Sequence, residues 1–139
     1  MLALLAQQEG VPLSSEIIAG SVNTNPALIR RLLSMLANAG LTASQLGAGG
    51  GALLAREPHA ITLLDVYRAV DDAQLFAMHR EEPNPACMVG RHIQQTLRGV
   101  IDDAQRAMEA SLATRTLADV VDDMARSERK LERSRTRRA

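Results

Sequence analysis

Apolar residues recur along this chain at spacings near three and four, broken by short polar stretches carrying Gly or Pro. That pattern predicts successive helices. Leu2, Leu4 and Leu5 open a helix over residues 1–8, with no capping residue in front and Gly10 behind. The uncapped start implies residues upstream of Met1. Val11-Pro12-Leu13 forms an extended link, and Ser14 or Ser15 caps a second helix over 16–21. Glu16 suits the positive end of that helix, and Ile17, Ile18 and Val22 form its core side. After the turn Asn23-Thr24-Asn25, Pro26 starts a third helix that closes at Ala39-Gly40. Leu28, Leu32, Leu33, Met35 and Leu36 are its apolar stripe, with Arg30, Arg31, Ser34 and Asn38 off it. Helix, tight polar turn and helix is a helix-turn-helix in outline, though that segment alone reads equally well as an ordinary αα-hairpin.

The next stretch tips the balance. Residues 41–46 and 52–55 flank Gly47-Ala48-Gly49-Gly50-Gly51, a hairpin with a glycine-rich tip, which makes the unit a winged helix. The GAGGGA string is no dinucleotide fingerprint: residues 42–46 are too polar for a buried strand, and Pro58 cuts off the helix that should follow. Nor does a Gly-Lys-Ser/Thr phosphate loop occur.

Thr62 and Asp65 form a capping-box pattern for a helix to Val70, with Leu63, Leu64, Val66, Tyr67 and Val70 inward. Residues 71–87 form a polar connector in which Glu82-Pro83-Asn84-Pro85 blocks helix. Residues 90–113 are the longest periodic segment, carried by Ile93, Leu97, Val100 or Ile101, Ala104, Ala107 or Met108, and Leu112 or Ser111. Such a seam is shared by two long helices. Thr116 and Asp119 repeat the capping box before a last short helix with Leu117, Val120, Val121 and Met124 inward. Beyond Arg126, only Leu131 could be buried, so a frayed helix or disordered tail is expected. The fold class is mainly α. A winged helix-turn-helix domain with a two-stranded wing spans 1–72, a connector or sensor loop 73–89, a dimerisation helix plus C-terminal helix 90–125, and a basic tail 126–139.

Composition agrees. The 139 residues are 46% hydrophobic, nearly all aliphatic, with Tyr67 and Phe76 the only aromatics. A core this small calls for a partner subunit. The single cysteine, Cys87, rules out an internal disulfide and fits a reducing compartment. No apolar run could span a bilayer, and residues 1–6 lack the basic flank and length of a signal peptide, so no membrane role and a cytoplasmic location are expected.

Net charge is zero but uneven. Residues 126–139 hold seven basic and two acidic side chains, +5, which leaves the body at −5. An acidic body weakens attraction to phosphate. The candidate double-stranded DNA contacts are Thr24, Asn25 and Pro26 at the N-terminus of the third helix, Arg30 and Arg31 on its outer face, Gly49, Gly50 and Gly51 at the wing tip, and Arg56. No residue set looks catalytic, so the chain is not an enzyme. The alternative is a protein-interaction module of the same fold with weak or lost DNA binding.

Several strings occur in one order: SSEIIAGSVNTNPALIRRLLSMLANAGL, GAGGGALLAR, ITLLDVYRAV and EPNPACMVGRHIQQTL. From about Met1 to Met124 the chain resembles the Rrf-two family of winged-helix transcriptional regulators, of the IscR, NsrR and CymR type. It is most similar to the YwnA-like members that lack cluster cysteines. The resemblance implies a homodimer joined through the long helices at Ile93, Leu97, Val100, Ile101, Ala104 and Met108. It also implies a recognition helix in a major groove and a wing in the adjoining minor groove, acting as a repressor rather than an activator. Family members with an iron–sulfur cluster carry three connector cysteines; with Cys87 alone no cofactor and no metal is expected. His79, Cys87 and His92 are a conceivable small metal set. A redox-sensing Cys87 thiol, supported by Arg91 and the helix start, is the stronger reading. The effector, redox or small molecule, is not identified by the sequence.

Overall fold

A computed structural model describes residues 1–70 and 83–136. The order is α1 (Leu2–Gln7), α2 (Ser15–Val22), α3 (Pro26–Asn38), β1 (Thr42–Gln45), β2 (Gly51–Leu54), a 3₁₀ turn (Pro58–Ala60), α4 (Leu63–Val70), α5 (Met88–Ala113) and α6 (Leu117–Thr136). The strands pair antiparallel, with Thr42 opposite Leu54 and Gln45 opposite Gly51.

Local chemistry sets the boundaries. Ser14, not Ser15, caps α2: its Oγ accepts from the Ile17 N–H at 3.3 Å. Asn23 ends that helix in the left-handed region, φ 51°. Asn25 Oδ1 accepts from the Ala27 N–H at 2.7 Å, with Pro26 filling the first helical position. Leu13 does more than link. It exchanges N–H···O bonds with Ala52 at 3.0 and 2.8 Å, which adds a third segment along the outer edge of β2, next to the wing loop.

The core gathers Leu2 and Leu5 of α1, Leu13, Ile18, Ala19, Ile29, Leu36, Leu41, Ala52, Ile61 and Leu117. Two expected stripes are displaced. In α2, Ile18 is buried with Ala19, while Ile17 and Val22 are exposed. In α3, Ile29 and Leu36 are buried while Leu28 is exposed. The α3 seam therefore runs 29, 33, 36, the face turned toward α2, one residue round from the stripe expected from the leucines alone. Thr42 is buried as well. Its hydroxyl donates to the Leu33 carbonyl at 3.3 Å, which satisfies this polar side chain inside the core, although residues 42–46 read as too polar for a buried strand.

The two capping boxes sit side by side. Thr62 and Thr116 form an antiparallel bridge, Leu63 N–H donates to Arg115 O and Leu117 N–H to Ile61 O, each at 2.8 Å. Asp65 accepts from the Thr62 N–H and Asp119 from the Thr116 N–H, at 2.9 and 2.8 Å. These backbone donors, then the threonine hydroxyls, hold both carboxyls below the ordinary aspartate value of 3.8. A depressed folded-state pKa contributes stability that is present above the unfolded value and lost as pH falls through the folded one. The stability advantage of the native chain over an Asp65→Ala, Asp119→Ala variant is therefore expected to be full at pH 7 and to shrink as pH falls below about 4. Urea midpoints at the two pH values measure it, and a pH-independent difference would show that the carboxylates do not act as caps.

α4 has no fully buried residue. Leu63, Leu64, Val66, Tyr67 and Val70 are half-buried, and Arg68 joins Glu109 of α5 at 2.7 Å. Helix α5 begins at Met88, two residues before the expected Gly90, above a turn in which Asn84 Oδ1 accepts from the Ala86 N–H at 2.9 Å. The basic segment expected as a frayed or disordered tail continues α6 as far as Thr136. Acidic Asp119 in the first turn and basic Arg133 and Arg135 in the last favour that helix through its dipole. Residues 71–82, including Phe76 and His79, and 137–139 lie outside the described residues.

Candidate nucleic-acid interface

Helices α2 and α3 pack on each other, and the wing follows α3 directly. Between the outer face of α3 and β1 runs an open cleft of about 360 Å³, with Ser15, Arg30, Ser34, Asn38, Ser44 and Gln45 among its polar lining. Of the residues expected to contact DNA, Arg30 and Gly51 line it. The serines and amides are not among the expected contacts, because their shared cleft depends on how the wing folds back on α3. Hydroxyls and carboxamides in such a groove can bond phosphate oxygens or base edges without adding charge.

The expected contacts fall into three groups. Thr24 and Arg31 are exposed, and the Arg31 guanidinium makes no hydrogen bond or ion pair among the described residues. Asn25 and Pro26 hold the helix start, so the Asn25 carbonyl oxygen is already occupied. Arg30 is engaged: it donates to Ser15 Oγ at 3.0 Å and to Glu16 Oε1 at 2.8 Å. The backbone N–H of Glu16, then the Ser15 hydroxyl, with Arg30 also contributing, keep the Glu16 carboxyl below its ordinary value. An ion pair exposed on both sides is weak and screened by salt, so a phosphate can displace Glu16 at little cost.

Arg56 is placed elsewhere. It donates to the Ala60 carbonyl and lies 3.9 Å from Asp65, bracing the 3₁₀ turn. It lies five residues along the chain from Gly51, about 16 Å if extended.

The wing glycines differ too. Gly49 has φ +79° and open space around it, as an exposed tip requires. Gly50 and Gly51 are demanded by the chain itself. A Cβ on Gly50 would meet Gln45 and Gly47 backbone, and one on Gly51 would stand 2.5 Å from Leu13 C and 2.9 Å from Leu13 N. Leu46, beside the tip, is 92% exposed.

Cys87 occupies the N-cap position of α5 and is exposed. The backbone N–H of Gly90, then that of Val89, lower its pKa, and Arg91 instead donates to the Pro85 carbonyl at 3.0 Å. His92 is exposed, and His79 lies outside the described residues. On α5, Ile93, Leu97 and Val100 are 37%, 45% and 62% exposed, and Ala104 is exposed with them. Ile101 and Met108 are half-buried at the edge of that face. No helix among the described residues is long and apolar enough to cross a membrane.

The Rrf2 family, described as an iron-dependent transcriptional regulator, matches residues 1–123. YwnA of Bacillus subtilis, named as a helix-turn-helix-type transcriptional regulator, is 46% identical over 125 residues, 89% of this chain and 91% of that one. The structure of T. potens IscR is similar with a TM-score of 0.66 at 28% identity, covering 88% of this chain and 79% of that one. The structure of CymR, the global cysteine regulator of B. subtilis, gives 0.58 at 30% identity and covers 87% of each chain.

Iron in the family's description sets a test for the donors. An iron–sulfur cluster is held by several thiolates, and Cys87 is the chain's single cysteine. Among the described residues, no group of three His, Cys, Asp or Glu side chains is gathered where a metal ion could sit. These residues do not fit a cysteine-ligated cluster. On fold and relatives together, the chain belongs to the Rrf2 family and is a DNA-binding transcriptional regulator, not an enzyme.

Proposed function

We propose that the protein is a cytoplasmic homodimeric repressor that reads double-stranded DNA through α3 and its wing and responds to a redox or small-molecule signal. It needs no iron–sulfur cluster. The observation that carries the reading is the uncommitted Arg31 on a helix whose N-terminus is capped and whose flank opens into a polar cleft against the wing. Thr24 and Asn25 lie at the helix start near phosphate or base edges, Arg31 and a released Arg30 contact backbone or guanine, and Gly49 lets the tip approach closely.

The dimer reading rests on α5. The chain exposes 10040 Å², about 3,000 Å² more than a compact monomer of 15.0 kDa. The exposed face of α5 is large in its first half, at Ile93, Leu97 and Val100, and small in its second, at Ala104, Ala107 and Ser111. An antiparallel pair centred near Asp102 sets Ile93 against Ser111, Leu97 against Ala107 and Val100 against Ala104, large against small at each level. Two α3 helices then face half-sites about one DNA turn apart.

The test is binding to a fragment from the gene's own upstream region at two salt concentrations, with and without a thiol oxidant. Arg31→Ala is expected to weaken specific binding about tenfold or more and to reduce the salt slope by about 2 per dimer. Equal retention of the native and substituted chains would turn the reading toward the protein-interaction module. Loss of binding on oxidation would assign the signal to Cys87, and indifference would assign it to a small ligand.

A further inference from the structure

The recognition half is poor in cations: Arg31 is uncommitted, Arg30 is available only once it leaves Glu16, and Arg56 is bound to the 3₁₀ turn. The surplus lies at the other end of the chain. Because α6 is helical through Thr136, its charges have defined directions. Arg126, Arg129, Lys130 and Arg133 stand at i, i+3, i+4 and i+7, within one arc of about 100°. Glu128 falls on the far side of the helix and Glu132 on its flank, about 60° from Arg129, while Asp119, Asp122 and Asp123 continue the same face toward the N-terminus beside Arg126. Met124 and Leu131 mark a third, apolar face.

All four cations are exposed. Arg126 pairs with Asp123, whereas Arg129, Lys130 and Arg133 have no hydrogen bond or ion pair among the described residues. The stripe is also fixed to the reading domain. Leu117, at the start of the same helix, is buried in the winged-helix core, and its N–H donates to Ile61 O at 2.8 Å.

We infer that this face of α6 is a second DNA-contacting surface, lying along phosphates outside the half-site read by α3. The inference rests on the DNA reading of α3 and the wing. The stripe spans about 10 Å of helix, a length over which duplex DNA carries about six charges. Its sequence-independent attraction offsets the −5 of the body. The wing and α3 set register and sequence, and α6 supplies counterion release.

The experiment uses the full chain with all four residues changed to glutamine, Arg126→Gln, Arg129→Gln, Lys130→Gln and Arg133→Gln. Its affinity for the upstream fragment is followed across a NaCl series beside the native chain and Arg31→Ala. The variant is expected to bind at least tenfold more weakly near 0.1 M salt, with the slope of log K against log salt reduced by at least about 1 per dimer while sequence preference is kept. Trimming the duplex by about one turn, 10 bp, at each end should cost the native chain more affinity than the variant. A slope change below about 1 would overturn the proposal and leave the α3 reading intact. Absence of salt-sensitive binding by the native chain would overturn both. If circular dichroism shows the fourfold variant misfolded, the pair Arg129→Gln, Arg133→Gln takes its place with the same criterion.

Discussion

Leu97→Glu is expected to convert the protein into a monomer that no longer holds a two-site operator. Leu97 lies mid-strip on the exposed face of α5, flanked by Ile93 and Val100. Full burial of a Leu, Ile or Val is worth about 1.5–3 kcal/mol, so covering these part-exposed side chains against a partner's Ala104 and Ala107 gives each subunit several kcal/mol. A glutamate there must lose its water without a counter-charge, and the two-fold repeats the defect. Removing the partner of a buried charge costs about 3–5 kcal/mol, which over two sites weakens the dimer by at least about a thousandfold. Within the monomer the position is already in water, so secondary structure and cooperative unfolding should survive. Loss of the linked second site then lowers operator affinity by about 10²–10⁴. Sedimentation and DNA binding on one preparation decide it. A Leu97→Glu protein that stays dimeric removes the proposed interface, and a monomer binding DNA as tightly as the native chain removes the need for dimerisation. Arg98→Glu, on the flank of the same helix, should leave assembly unchanged.

What could be read from the sequence was local. Caps, breaks and period placed α1 to α4, the hairpin and the long helix, because Asn25-Pro26, the Thr62–Asp65 box and the glycine run act within a few residues of themselves. Faces were harder. Ile29 rather than Leu28 is buried because α3 packs on α2, a choice made between elements that neighbouring leucines do not settle. The polar cleft was invisible for the same reason: Ser15, Ser34 and Gln45 come from three elements and meet only when the wing folds back. The α6 extension realises the helical of the two alternatives the sequence leaves open beyond Arg126, because a charged segment with one leucine lacks an apolar period to decide between them. Its helix rests instead on good helix formers and on cations at the C-terminal end.

Gly51→Val is expected to unfasten the wing and lower the melting temperature by about 10 °C, an effect the glycine content of the loop does not foretell. The hairpin tip contains five residues between its strands, and only some need to be glycine. Gly49 needs its left-handed φ, so Gly49→Ala meets a backbone penalty of about 1–2 kcal/mol with no collision. Gly51 has no such φ, and its constraint is space. Its Cα lies against the Leu13 backbone, where Leu13 and Ala52 exchange two hydrogen bonds. Any Cβ forces that pair apart, because backbone cannot step aside as a flexible side chain can. The loss combines both bonds, roughly 1 kcal/mol each, with disturbance of buried Leu13 and Ala52, for about 3 kcal/mol or more. Since Leu13 leads into the Ser14 cap of α2, the wing, the cleft and the helix-turn-helix shift together. DNA affinity should therefore fall even at temperatures where the chain remains folded. Thermal melts of Gly49→Ala, Gly51→Ala and Gly51→Val should rank in that order of increasing damage. A Gly51→Ala protein melting within about 2 °C of the native one would mean that Leu13 does not pair with the wing in solution.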